Sequence, residues 1–325
     1  MAHELHQDQK TGKTCFAYVG EHAWHGLGQQ LTAGAPLAVW TQEAGFDWEI
    51  MQGDVQTILP SQEVVCMPER QLLFRSDTRA PLAVVSNKYK VVQPKEVLHF
   101  YEDLIESAGF VLETAGVLFG GRKFWALART NYSDEVIAGD RVDQYLLLTT
   151  ACDGSLATTA KFTPIRVVCN NTLGIAVRAN GVKVQVKVPH NANFDAQAVK
   201  RELGVAGESW DAFMEDARRL ANVEMTRSSA AQFLVNLVGD PALKIEDQSV
   251  AAANLMQQIY QLWDKNSMGN ELVGHTAWGM FNAVTEFADW HTGHKTADAR
   301  MDNAWFGRNA RLKEEAFDLL LVTTL

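Results

Sequence analysis

The sequence predicts an α+β protein: a central antiparallel β-sheet of hairpins with packed helices, followed by a helical C-terminal region. Three observations predict it. Short β-rich runs separated by turn residues crowd the middle of the chain, as in VQTILP, EVVCMP, QLLFRSD and PLAVVSNKYKVV. Gly120-Gly121 and Asp153-Gly154 each lie between two such runs, where a tight hairpin needs residues that tolerate positive φ. In the last third the period changes, and apolar residues recur every three or four positions. The chain divides accordingly into a Trp/Gly-rich N-terminal arm or subdomain (1–54), an α+β core (55–192) and a helical region (193–325).

In the arm, Trp24, Trp40 and Trp48 are expected to anchor a small unit on the main core. Pro94 starts a helix whose apolar stripe is Val97, Leu98, Tyr101, Leu104, Ile105 and Ala108 and which ends at Gly109. This helix is expected to pack on the sheet. The stretch G-x-x-x-G-G-R-K then invites a phosphate-loop reading, which fails. Arg122 stands where the loop needs Lys, Lys123 where it needs Ser or Thr, and a strand-like Phe124–Ala128 follows instead of a helix. Gly120-Gly121 is therefore read as a two-residue hairpin turn.

A second hairpin joins VDQYLLLTTA to LATTAKF through Cys152–Ser155. Thr163 as N-cap and Pro164 in the first turn predict that IRVVCNNTLGIAVRA begins as a helix. Ile165, Val168, Thr172 and Ile175 would share one side of it. Arg166, Asn170, Asn171, Gly174 and Arg178 would share the other, a face suited to phosphates and equally to solvent. VKVQVKV alternates without a break, with Val182, Val184, Val186 and Val188 to one face and Lys183, Gln185 and Lys187 to the other. Lysines there fit a binding groove, or an edge strand guarded against aggregation. Further on, Trp210, Phe213, Ala217 and Leu220 form one helical stripe. Thr226 caps the next helix, and Ala277, Met280, Val284, Phe287 and His291 form another stripe.

An apolar fraction of 47% and a charged fraction of 21% are those of an ordinary globular protein. No apolar run approaches the ~20 residues that span a bilayer, and MAHELHQDQKTGK lacks the apolar stretch of a signal peptide. A cytoplasmic protein without membrane contact is expected. Cys15, Cys66, Cys152 and Cys169 form no C-x-x-C pair and read as buried reduced thiols. His22 and His25, and later His275, His291, His294, Asp289 and Asp298, match no metal signature. No metal, cofactor or catalytic residue is predicted.

The net charge of −10 argues against indiscriminate binding to nucleic acid, but its distribution is uneven. Residues 155–201 hold Lys161, Arg166, Arg178, Lys183, Lys187, Lys200 and Arg201 against Asp195 alone. This basic island lies between two acidic flanks. The candidate nucleic-acid-binding residues are Lys161, Arg166, Asn170, Asn171, Arg178, Lys183 and Lys187, with Arg122 and Lys123 nearby. Phe124, Trp125, Tyr145 and Phe162 are available for stacking on bases.

Several stretches together carry a family resemblance: AWHGLG, VVSNKYKVVQPKEVLHFYEDL, the Gly120-Gly121-Arg122 hairpin, YLLLTTACDGS, TPIRVVCNNTL, and WGMFNAVTEFADW with AWFGRNARLKEEA. The chain resembles the phage/plasmid-like protein family defined by domain of unknown function 932. TPIRVVCNNTL is the most specific part of the likeness. Where members commonly have Ser-His-Asp-Gly at the hairpin turn, this chain has Ala151-Cys152-Asp153-Gly154. The resemblance implies a mobile-element origin, hence a bacterial host cytoplasm, and a shared architecture, but no mechanism. In element order the chain also resembles single-strand annealing recombinases, which assemble as rings or filaments around single-stranded DNA. No residue motif matches them.

Three functions follow as expectations. The first is a phage- or plasmid-encoded protein of recombination or replication that binds and anneals single-stranded DNA as a homo-oligomer. The second is an enzyme, for which no nucleophile elbow, zinc signature or dinucleotide fingerprint speaks. The third is a non-enzymatic protein–protein module, such as an inhibitor of host defence or a scaffold.

Overall fold

The computed structural model describes residues 7, 12–20, 28–166, 171–172, 178–179, 182–183, 185–203, 206–266, 270–293 and 296–323. The N-terminal half runs β1 (Phe16–Val19), β2 (Gln29–Leu31), α1 (Leu37–Glu43), β3 (Ile50–Ile58), β4 (Val64–Arg75), β5 (Pro81–Ser86), α2 (Pro94–His99) and α3 (Glu102–Ala108). Then come β6 (Val111–Leu118), β7 (Lys123–Glu135), β8 (Arg141–Ala151), β9 (Thr158–Arg166) and four short strands, β10 (Asn171–Thr172), β11 (Arg178–Ala179), β12 (Val182–Lys183) and β13 (Gln185–Val188). The helices that follow are α4 (Ala196–Glu202), α5 (Ala206–Ala221), α6 (Arg227–Val238), α7 (Val250–Gln261), α8 (Asn270–Val273), α9 (Ala277–Glu286), α10 (Ala297–Phe306) and α11 (Arg308–Thr323). The fold is α+β, with a helical C-terminal region.

The main sheet has eight strands in the order β10-β9-β8-β7-β6-β1-β2, with β13 also on β9. Among the described residues, β1 with β2 is the one parallel pair. Successive side chains of a strand point to opposite faces, and both faces of this sheet are covered. On one face Ala126, Leu148, Ala160 and Phe162 join Trp40, Phe46, Trp48, Val97, Leu98 and Tyr101 in a common core. On the other, Phe16, Trp125, Leu127 and Leu147 pack with Met301, Trp305 and Phe306 of α10. This explains why FWALA and YLLL read as continuous apolar runs rather than alternating ones. The three-stranded sheet β3-β4-β5 packs on the first face through Ile50, Leu73, Leu82 and Val85. The 54/55 division falls inside β3, and Trp40 and Trp48 belong to the central core.

Three local expectations are corrected. The helix from Pro94 is two helices, broken at Phe100-Tyr101, where the Tyr101 N–H donates to the Leu98 carbonyl three residues back and both rings lie in the core. There the Tyr101 hydroxyl lies 2.7 Å from the Ala126 carbonyl and 3.0 Å from that of Leu146. The first hairpin turn is longer than two residues, since Leu118 pairs with Lys123 across Phe119–Arg122. Phe119, Gly120 and Gly121 there all have positive φ. At Gly121 a side chain is excluded twice, by φ of +108° and by the Trp48 ring, 2.8 Å from where a Cβ would stand.

The third correction concerns Thr163 and Pro164, which cap no helix. They lie in β9 opposite Tyr145 and Gln144 of β8. The missing proline N–H does no harm there, because on the other side of β9 the partner β13 reaches only Lys161 and β10 starts at Ile165. Thr158, Thr159, Thr163 and Ile165 are β-branched and suit an extended strand.

The helical region forms its own core around α9, in which every residue from Ala277 to Glu286 is buried. Trp210, Phe213, Ala217 and Leu220 face it as their spacing predicts. The Thr226 hydroxyl caps α6 by accepting from the Ser229 N–H at 3.1 Å. A buried bond helps tie this region to the sheet: the Trp278 indole N–H donates at 2.7 Å to Asp140 in the β7–β8 turn, with both residues wholly buried. A buried carboxylate that loses a donor is costly, so Trp278→Phe is expected to lower stability by about 2 kcal/mol. Equilibrium urea unfolding measures it, and an unchanged midpoint would show that the bond carries no such weight.

Candidate nucleic-acid interface

The nine candidate residues fall into three groups. Lys123 and Lys161 lie inside the molecule, 5% and 8% exposed. Lys123 makes an ion pair with Asp302 of α10, and its ammonium lies 5.2 Å from the centre of the Phe306 ring. Lys161 projects from the sheet face shared with Leu147, towards Lys313 and Glu314 of α11. Burial is the main cause that brings its ammonium from its usual 10.5 down to about 8; the charges of Lys313 and Lys187 push the same way, and that of Glu314 opposes. Neither lysine lies on an open groove.

Arg122 and Lys187 are exposed. The Arg122 Nε donates to the Phe119 carbonyl at 3.1 Å. The residue borders a pocket of about 140 Å³ shared with Thr78, Pro81, Leu82 and Arg75. Arg75 is already engaged: its guanidinium pairs with Asp77 at 2.9 and 2.7 Å and lies 3.9 Å from the Trp48 ring centre. That pairing holds the Asp77 carboxyl below the usual carboxylate range. Lys187 stands opposite Thr159, and alternation along β13 buries Val186 while exposing Lys187.

Arg166, Asn171, Arg178 and Lys183 are placed by backbone register. Arg166 pairs with Asn171 at the end of β9, and Arg178 pairs with Lys183 in the separate β11–β12 ladder. Asn170 lies outside the described residues. Thr159, opposite Lys187, and Arg166, opposite Asn171, stand seven positions apart on β9, about 23 Å along one strand. Both of these pairings form on the side of β9 turned away from β8. The structure thus brings part of the basic island to one sheet edge and withdraws Lys123 and Lys161 from it.

The aromatic expectation is corrected as well. Phe124, Trp125, Tyr145 and Phe162 are all buried, because they sit on strands covered on both faces. The Tyr145 hydroxyl is committed to Glu113 at 2.8 Å. None of the four is presented to a base. Cys66 is exposed, unlike the buried Cys15 and Cys152, and Cys169 is not among the described residues.

Sequence reasoning passed over an interior polar layer between the sheet and the last helices. Lys313 is wholly buried and donates to Asp289 at 2.7 Å. Nearby, Asn309 donates to the Ala288 carbonyl at 2.6 Å, and His291 lies 3.4 Å from the buried Glu286. The signal was present: Lys313 keeps three- and four-residue spacing with Ala310, Phe317 and Leu320, an apolar stripe that it interrupts.

The Lys161 ammonium yields a signed prediction. Below about pH 8 it is protonated in both states, so the cost of burying charge is fully felt. Between about 8 and 10.5 the folded state gives up the proton first, and stability rises with pH. Lys161→Met is therefore expected to stabilise the protein at pH 7, by up to about 3 kcal/mol, with the gain shrinking towards pH 10.5. Urea unfolding of both proteins across that range checks it, and a pH-independent difference would contradict it.

No curated protein and no solved structure matches the chain. A family model does, over residues 81–305 of the 325, from β5 to the end of α10. The match takes in β5 to β13 and the helices from α2 to α10, leaving β1 to β4, α1 and α11 outside it, and the chain belongs to the family described as Domain of unknown function (DUF932).

Proposed function

We propose that this chain is a phage- or plasmid-encoded protein that binds single-stranded DNA through its phosphates along the outer side of β9. In this reading it anneals strands during recombination or replication, in the host cytoplasm, as a homo-oligomer. The observation that carries the reading is the return of the basic segment along one strand edge: Lys187 at one end, Arg166 and Asn171 at the other, on the same side of β9. The ladder between β11 and β12 adds a second argument. Like charges directly opposite one another weaken a strand pair, and Arg178 opposes Lys183. A phosphate bridging two such positions turns a liability into a contact.

Burial of the nearby aromatic residues shapes the mechanism. Without stacking from them, recognition rests on charge and on hydrogen bonds from Asn171, so it is insensitive to sequence and sensitive to salt. The strongly negative remainder of the chain repels DNA elsewhere and confines it to the edge. A second reading, a protein–protein module, is favoured by one observation, the exposed apolar hairpin between β3 and β4.

Titration of labelled single- and double-stranded oligonucleotides at several salt concentrations tests the first reading. Single strands are expected to bind more tightly. Replacing Arg178, Lys183 and Lys187 by Ala together is expected to reduce the slope of log K against log salt by about 2, at ~0.7 per lost contact. Lys161→Met, a change inside the molecule, is expected to leave the slope alone. Absence of binding at ~50 mM salt, or a slope unmoved by the triple variant, would discard the proposal.

A further inference from the structure

The far end of the small sheet is built unlike the rest of the molecule. Every residue from 56 to 70 is exposed, although much of this stretch is regular β3–β4 ladder, with Gln56 opposite Cys66, Thr57 opposite Val65 and Ile58 opposite Val64. A register irregularity after Asp54 separates this arm from the part of β3 and β4 that packs on the core. β5 joins β4 only from Arg70 onward, so the arm is a two-stranded hairpin with solvent on both faces.

Its side chains do not suit solvent. Ile58 is 69% exposed and Val64 51%, and Leu59, Val65 and Met67 are also exposed. Strand alternation puts Ile58, Val64 and Cys66 on one face and Val65 on the other. A lone two-stranded hairpin is marginal in water, and an uncharged apolar one invites pairing. From residue 55 to 68 the only charged residue is Glu63, on a chain of net charge −10. Two copies of this acidic protein repel each other, and the arm is where they meet at least electrostatic cost.

We propose that the arm is a self-association element, exchanged reciprocally between two copies of this chain. The area selects reciprocal exchange. Counted from the Gln56–Cys66 pair through the turn to its tip, the arm is about six residues deep at ~3.4 Å and two strands wide at ~4.8 Å, roughly 200 Å² per face and about 400 Å² for both faces. One arm seated on a partner removes about 800 Å² in total, at the scale of a casual contact. Two arms exchanged about a two-fold axis remove about 1,600 Å², the size of a stable interface. Self-association through the arm needs no nucleic acid, and its test contains none.

The test is sedimentation equilibrium of the full chain from nanomolar to micromolar concentration, alongside mass-spectrometric measurement of alkylation at Cys66, which sits on the arm. The wild type is expected to reach the mass of two chains, with Cys66 protected increasingly as concentration rises. Ile58→Asp/Val64→Asp is expected to weaken association at least thirtyfold. In it, Cys66 reacts at one rate throughout. Both substituted positions are solvent-exposed in the single chain, so the thermal midpoint of the dilute variant should match that of the dilute wild type. A mass of one chain at all concentrations, association that survives both substitutions, or slow Cys66 alkylation that ignores concentration would overturn the proposal. The last result would mean that the chain covers its own arm.

Discussion

Burial of the main sheet on both faces is the constraint on which the rest of the structure depends. Strands β7, β8 and β9 have the α1–α4 layer on one side and the last helices on the other. Polar groups on the covered parts of those strands are therefore driven to find partners indoors. Lys123 finds Asp302, the Thr149 hydroxyl finds the Phe124 carbonyl at 3.0 Å, and Tyr101 reaches in from below to two strand carbonyls. Lys161 bears the cost openly, with an ammonium pushed towards neutrality by its surroundings.

The same constraint sorts the chemistry. A sheet closed on both faces leaves its outer strand edge and its turns as places where a large anion can lie. Parts of the basic segment after Lys161, at Lys187 and at Asn171, lie along such an edge, and the protruding β3–β4 arm offers the apolar counterpart. Charge and apolar surface are thus segregated, one suited to a polyanion and the other to a second chain.

Much of this was legible in the sequence, for physical reasons. Period-two and period-3.6 patterns identified the strands and helices wherever one face was wet, as along Gln185–Val188 and in α5. Where both faces are dry the period vanishes, and with it the means to tell a surface lysine from an interior one. Lys161 and Lys187 read alike as island cations, yet one is buried by α11 and the other is exposed. Thr163-Pro164 misled because a helix cap and a gap in strand pairing accept the same residues; only the registers of β10 and β13 decide between them. The exposed arm was read correctly as a hairpin, but no local pattern says that its neighbours stop short of it.

Cations beside the outer side of β9 and in the β11–β12 ladder, and not those inside the sheet, are proposed to meet a polyanion. Quantitative acetylation of lysines with and without a single-stranded oligonucleotide tests it most directly. Protection is expected at Lys187 beside β9 and at Lys183 in the β11–β12 ladder, with unchanged labelling of Lys88, Lys95 and Lys244 and slow labelling of Lys123 in both states. Equal protection of all exposed lysines, or none at Lys183 and Lys187 under conditions where the oligonucleotide is bound, would contradict it.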